Sequence, residues 1–335
     1  MDTASRGFLG LLSVALGAYV LVGLAACLLL ALLSYRVAAS GVGALGGEAG
    51  ELWPALIALA VMAGGVLFGL RSLASQILSS LRLNRRVREL TLPPTAALSA
   101  AVAETRLRGR VTLIDVDEAF SFAYGALRPR VAVSSGLLQA ASRKELEAVL
   151  AHERYHVRNL DPLKVLLARA LPQAFFYVPA LRQFERRYLA GRELAADRLA
   201  AEYHGPAALA GALLKVVGGP KWRELQAATA IGGPNVLDAR IAQLEEGREP
   251  RVAGVSPAAA LLSFVWIAVL GSVVALAVEG SGGPSAVLAA AMPGMEGDAA
   301  RLALMPLCFI PWAVVGWIAY RLLRFNAARE LRLDG

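Results

Sequence analysis

Long apolar runs bracket a more polar, basic middle region along this chain. Phe8–Leu33 carries no charge, and Trp53–Leu70, Ala258–Val278 and Leu302–Leu323 are apolar over comparable lengths. A helix needs about 20 such residues to cross a hydrocarbon core, so the pattern predicts four transmembrane helices. Between the second and third runs the period changes. Val111–Val116, Ala119–Tyr124 and Val131–Val133 are alternating or β-branched and are broken by Gly125 and Pro129, which predicts short strands. Helical spacing then covers about 142–159, 162–178, 180–203, 206–217 and 235–246. Pro93-Pro94 is expected to end a basic helix leaving the second run. Asp161-Pro162 reads as an N-cap and first helical residue, and Pro172 should kink the helix that follows.

The first of the middle helices carries the candidate chemistry. Ser142-Arg143-Lys144-Glu145 matches a capping box, and Leu146, Val149, Leu150 and Tyr155 continue the apolar spacing into His152-Glu153-Arg154-Tyr155-His156. Residues four apart share a helix face, so both imidazoles can reach one metal ion with Glu153 beside them. Zinc suits such a site: it lowers the pKa of a bound water to about 7, and an adjacent carboxylate can serve as general base. The competing reading is two solvated histidines on an amphipathic helix. Only three histidines occur in the chain, and two of them lie in this motif, which favours the metal.

A third protein ligand is then required. The extended metzincin pattern is excluded, because Asn159 and Pro162 stand where it has glycine and histidine. Downstream, Gly191-Arg192-Glu193-Leu194-Ala195-Ala196-Asp197 opens another alanine-rich helical run. Glu193 could ligate while Asp197, one turn on, orients a metal-bound histidine. An ordinary surface with Arg192, Glu193 and Asp197 in ion pairs is the alternative. His204 is a rival ligand, although its place before Gly205-Pro206 reads as a helix end.

The His-Glu-x-x-His helix followed by Glu-x-x-x-Asp resembles the integral-membrane gluzincin metallopeptidases of the HtpX and BlaR/MecR types. The likeness extends to Ala119–Gly125, Arg128–Val133 and Gly136–Leu138, to Asp161, and to Pro234 followed by Arg240–Leu244. It implies a gluzincin-like fold in which His152, His156 and Glu193 hold one zinc ion, Glu153 is the base and Asp197 supports a ligand. It further implies a small sheet whose edge strand can pair with an extended peptide. Two departures stand out. Arg154 is a bulky cation where a small or aliphatic residue is usual, and Gly232-Gly233 replace the histidine that HtpX relatives carry before the last proline. If that histidine stabilises the oxyanion, another donor is expected here, with Arg192, Arg240 and Tyr203 as candidates. No large domain follows the last apolar run, so the penicillin-binding sensor of BlaR/MecR receptors is expected to be absent.

Composition and charge complete the picture. The 335 residues are 57% hydrophobic, which points to several spans rather than a soluble domain. Arg71, Arg82, Arg85, Arg86 and Arg88 follow the second run, and Arg321, Arg324, Arg329 and Arg332 follow the fourth. The opposite loops carry Glu48, Glu51, Glu279, Glu296 and Asp298. Lys and Arg collect on cytoplasmic flanks, so both termini and the middle region are expected in the cytoplasm of a bacterial plasma-membrane protein. The net charge of +8 is mostly this bias, and no aromatic-interleaved basic patch supports nucleic-acid binding. Leu24-Ala25-Ala26-Cys27 resembles a lipoprotein cleavage box, but apolar residues continue after it, so the run reads as a signal anchor.

The stretch 162–181 is apolar enough to suggest another span. A single crossing there would put Glu193 on the far side of the membrane from the histidines, and Lys164, Arg169 and Gln173 interrupt it. It reads instead as an amphipathic helix buried in protein or lying in the membrane interface. The expected architecture is a mainly α membrane protein. Four transmembrane helices join a cytoplasmic α+β gluzincin-like zinc protease domain with a small β-sheet, divided as 1–71, 72–255 and 256–335. The expected function is peptide-bond hydrolysis in cytoplasmic or membrane proteins, with BlaR/MecR-like signalling, HtpX-like quality control and an inactive membrane transducer as the competing roles. The expected partners are a protein or peptide substrate and the lipid bilayer; self-association into a homo-oligomer is open.

Overall fold

The computed structural model describes residues 3–40, 53–216, 234–250 and 252–279. Three of its helices are long and apolar enough to cross a bilayer. They are α1 (Thr3–Ser40), α2 (Trp53–Glu89) and α10 (Pro257–Glu279). The fourth expected span, Leu302–Leu323, lies outside the described residues, as do both interhelical loops of the sequence reading. Helix α1 runs unbroken through Cys27.

The chain divides into two compact units, each built from separated segments. One contains 12–68 of the long helices, the turn Ala174–Ala180 and the chain from Pro257. In it, Leu29, Ala55, Ala58 and Met62 form a small buried cluster, flanked by Leu270, Val273 and Val274. Outward residues such as Ile57, Leu67 and Phe264 are more than half exposed, which suits a lipid surround.

The other unit contains the sheet and the remaining helices. Its strands are β1 (Thr91–Leu92), β2 (Val111–Ile114), β3 (Ser121–Tyr124) and β4 (Arg130–Ser134), in the order β1-β2-β4-β3. β2 and β4 are parallel; the two outer pairings are antiparallel. Around it lie α3 (Ala96–Glu104), α4 (Ser135–Ala140), α5 (Arg143–Arg158), α6 (Asp161–Ala174), α7 (Pro179–His204), α8 (Pro206–Val216) and α9 (Pro234–Glu246). Alternation along the strands sends Leu113, Val131 and Val133 to one face, packed with Leu146, Val149 and Leu150 of α5. Ile114, Phe122, Tyr124 and Ala132 go to the other, onto Leu83 and Val87 of α2. Gly136 lets α4 begin against the loop before β3: a Cβ there would overlap the Asp117 carbonyl oxygen.

Four sequence expectations need correction. The basic helix ends at Glu89, before Pro93-Pro94, because Thr91–Leu92 pairs with Leu113 and Ile114 as an edge strand. α3 and α4 fall on segments the apolar pattern left unassigned. Asp161 is the first residue of α6 rather than its cap; its carboxylate faces His156 and Tyr188 instead. That helix stops at Ala174, two residues after Pro172, and Phe175–Val178 turns the chain before Pro179 opens α7.

The capping box at α5 is present. Ser142 Oγ accepts from the Glu145 backbone N–H at 3.4 Å, and the Glu145 carboxylate accepts from Ser142 N–H at 2.6 Å. Lys215 Nζ reaches the same carboxylate at 2.6 Å. Hydrogen bonding to Lys215 and Ser142 holds Glu145 down at about 2, against an ordinary 4.5. A depressed carboxylate stabilises the fold above its unfolded pKa, and the stabilisation drains as pH falls toward the folded value. Thermal melts of wild type and Glu145→Gln should therefore differ most above about pH 4.5 and converge as pH approaches about 2. Parallel curves across that range would assign the depression no role in stability.

Candidate metal centre

α5 delivers His152, Glu153 and His156 from one buried stripe. The imidazoles meet at their Nε2 atoms, 3.2 Å apart, and each turns Nδ1 toward a carboxylate. His152 Nδ1 lies 2.8 Å from Asp197 Oδ1, and His156 Nδ1 lies 2.6 Å from Asp161 Oδ2. α7 supplies Glu193, whose oxygens lie 3.5 Å from His152 Nε2 and 3.8 Å from His156 Nε2. Among the described residues, His152, His156 and Glu193 are the group whose ligand atoms could hold a metal ion. A metal binding tetrahedrally at zinc's usual bond lengths keeps its ligand atoms about 3.3 Å apart, close to these separations. Two imidazoles and one carboxylate are also a donor set that zinc accepts. The residues fit the ion.

Charge reinforces the geometry. Glu153, Asp161, Glu193 and Asp197 are all buried here, and the guanidinium groups of Arg192 and Arg240 stand against them. Burial alone would raise the Glu193 carboxyl, but Arg192, both histidines and Arg240 hold it well below the usual range. Burial would also raise Asp197, and Arg240 and His152 keep it low. For His152, burial works against the charged form, yet the Asp197 carboxylate wins and lifts it to about 9. The surroundings thus favour positive charge at His152, which a divalent cation would supply.

Glu153 is held from the sheet. Ser121 Oγ, at the start of β3, donates to Glu153 Oε1 at 2.9 Å, and Oε2 is buried without a hydrogen-bond partner among the described residues. β3 pairs only with β4 in the sheet order, so it is an edge strand next to this carboxylate.

The other candidate residues are distributed unevenly. Arg240 on α9 forms a two-pronged pair with Asp197, Nε–Oδ2 at 2.6 Å and Nη2–Oδ1 at 2.8 Å, and its Nη1 is 3.7 Å from Glu193. Arg192 donates to Glu193 Oε1 at 2.8 Å from a buried position. Tyr203 is 69% exposed and is not brought to the cluster. His204 ends α7 with its Nδ1 3.9 Å from Glu147, outside the ligand group. Arg154 is half-buried, and burial together with Arg158 and Arg106 lowers its pKa. Gly232-Gly233 lie outside the described residues.

Three partners escaped the motif reading. Ser121 is 32 positions before Glu153, and no local pattern links them. Asp161 enters the sequence reading through the resemblance and as an N-cap, not as a partner of His156. Tyr188, fully buried, donates to Asp161 Oδ1 at 3.2 Å. Its place five residues before Glu193 on α7 is the one signal that could have suggested it.

Comparison with known proteins bears on this centre directly. Residues 46–244, more than half of the chain, match the family model described as BlaR1 peptidase M56. The chain belongs to that family. The M56 match agrees with the His-Glu-x-x-His helix, the downstream glutamate and the long apolar helices. The chain is also similar to HtpX proteases. The HtpX homologue of Prosthecochloris aestuarii is 42% identical over 77 residues, 22% of this chain and 26% of its own length. Protease HtpX of Aeromonas hydrophila is 42% identical over 93 residues, 27% of this chain and 32% of its own. The Streptococcus uberis homologue is 36% identical over 91 residues, again 27% of this chain and 31% of its own. The chain thus matches about a quarter to a third of the length of these curated relatives. No solved structure matches it.

Proposed function

We propose that this M56 peptidase is a regulatory endopeptidase of a bacterial plasma membrane, hydrolysing a peptide bond in a cytoplasmic or membrane-associated protein. His152, His156 and Glu193 would hold a single zinc ion. The observation that carries the reading is the join between sheet and helix: edge strand β3 places Ser121 on Glu153 beside the three ligand side chains. An extended peptide added to the open edge of β3 would bring its backbone past that carboxylate.

Zinc, when bound, supplies Lewis acidity that makes water a stronger acid and the scissile carbonyl a better electrophile. Glu153 takes the proton from the attacking water at Oε2, the oxygen that Ser121 leaves free. The water oxygen bonds to the carbonyl carbon, the C–N bond breaks, and Glu153 returns the proton to the departing amine. Asp197 and Asp161 fix the two imidazoles through Nδ1, so that Nε2 of each faces the ion. Arg240 and Arg192 are the cations nearest the ligand Glu193 and are the candidates for stabilising the oxyanion.

The arginine bias around the spans supports a middle region, about 72–255, that faces the cytoplasm together with both termini. The HtpX likeness supports a second role, quality control of membrane proteins. New protein N-termini in membranes and cytosol, compared between wild type and Glu153→Gln, separate the two. One or two cytoplasmic cleavages that vanish in the variant are the expected result. Many cleaved membrane proteins would favour quality control, and identical termini in both strains would remove the regulatory reading.

A further inference from the structure

The turn between α6 and α7 belongs to the unit of long apolar helices, whereas the helices it connects carry residues of the metal centre. Its sequence, Ala174-Phe175-Phe176-Tyr177-Val178-Pro179-Ala180, has no charge. It packs on two spans at once. Gly65 of α2 admits the Ala174 carbonyl so closely that a Cβ at Gly65 would overlap it. Phe68, one turn further along, meets Phe176 edge-on with ring centroids 5.8 Å apart. From α10, Ser263 Oγ accepts the Ala180 backbone N–H at 3.0 Å and itself donates to the Ala259 carbonyl at 2.7 Å.

These contacts fix a depth. On α2 the first charge after the apolar run is Arg71, six residues beyond Gly65, or about 9 Å along a helix. On α10 Ser263 is six residues beyond Pro257, again about 9 Å from the polar end of the span. Two spans therefore give the same depth independently. Phe176 keeps 39% of its surface exposed at that level.

The backbone at the exit of this turn follows the rule that applies inside a membrane. Irregular chain survives in hydrocarbon only where its polar groups are satisfied by protein. Here Val178 N–H bonds to the Phe175 carbonyl at 2.8 Å, Pro179 brings no N–H to the first position of α7, and Ser263 takes the next one. A serine in an apolar span, buried at 6% exposure, is thereby accounted for.

We infer that α6 and α7 form a re-entrant hairpin whose Phe175–Tyr177 tip inserts into the acyl-chain region of the bilayer. α6 spans 14 residues, about 21 Å, too short to cross a core of about 30 Å. The chain goes in and returns on the same side. The sequence objection to a crossing between His156 and Glu193 is thus met: the hairpin touches lipid, and the ligands remain on one side.

The test uses the full-length protein in phosphatidylglycerol–phosphatidylcholine vesicles, with Cys27 and Cys308 replaced by serine. A nitroxide is attached at Phe176→Cys, at Phe264→Cys on the lipid-exposed face of α10, and at Leu214→Cys on α8. Collisions of the 176 label with oxygen should exceed those with a water-soluble nickel chelate several-fold, as at 264 and opposite to 214. A 176 label that behaves like 214 overturns the insertion. The unmodified protein provides a second reading with a lipid that carries a photoactivated carbene on its acyl chain. Adducts in the 174–180 peptide are expected, and adducts confined to α1, α2 and α10 would overturn the proposal. Neither readout depends on zinc or on catalysis.

Discussion

Replacing Glu153 with glutamine should lower cleavage about 10²- to 10⁴-fold, the usual contribution of a positioned general base, while the protein keeps its zinc. Glutamine has the size and shape of glutamate, so its carbonyl can still accept from Ser121 Oγ at the position now 2.9 Å away. The three ligand side chains are untouched, and the donor set remains complete. What is lost is the basicity of the carboxylate, whose Oε2 is buried without a hydrogen-bond partner among the described residues; an amide cannot take a proton from water. Cleavage of β-casein and zinc per chain, measured on the same purified enzyme in detergent, would separate the two effects. Loss of zinc in parallel with activity would make Glu153 part of the binding site. Retained cleavage would remove it from the reaction.

The candidate stripe was legible in the sequence because its geometry is local. His152, Glu153 and His156 sit within one helical turn, and the capping box and apolar spacing that start α5 lie just upstream. Glu193 was legible only in combination with those histidines, since Glu-x-x-x-Asp by itself describes many helical surfaces. The groups that aim the stripe were not legible. Ser121 reaches Glu153 only because β3 is the outer strand beside α5, a consequence of the order β1-β2-β4-β3. That order depends on β2 and β4 pairing in parallel around an intervening strand, and the alternation of single strands does not encode it. The same limit applied to Thr91–Leu92, where two residues carry no period, and to Phe175–Val178, whose apolar character reads equally as helix or as membrane contact. The three described spans were the easiest to see, because hydropathy integrates over about 20 residues and needs no partner.

Arg240→Ala should be among the most damaging single changes outside the ligands. Asp197 is 0% exposed, and both of its oxygens take part in the two-pronged pair with Arg240, at 2.6 and 2.8 Å. Removing one partner of a buried pair strands the other charge, which costs about 3–5 kcal/mol. The damage should also reach the metal, because the Asp197 carboxylate is the anion beside His152 Nδ1, at 2.8 Å. Losing such a support weakens metal binding by about 10- to 100-fold. Arg240→Lys should rescue little, since an ammonium is a point charge and cannot reproduce the planar fork. In Asp197→Ala/Arg240→Ala neither charge is left stranded, so the double variant should be less destabilised than the sum of the two single changes. Thermal melts and zinc competition titrations on Arg240→Ala, Arg240→Lys, Asp197→Ala and the double variant measure both effects. If Arg240→Ala bound zinc as tightly as wild type, the chain of support from Arg240 through Asp197 to His152 would be broken as an explanation, and the pair would serve only to anchor α9 on α7.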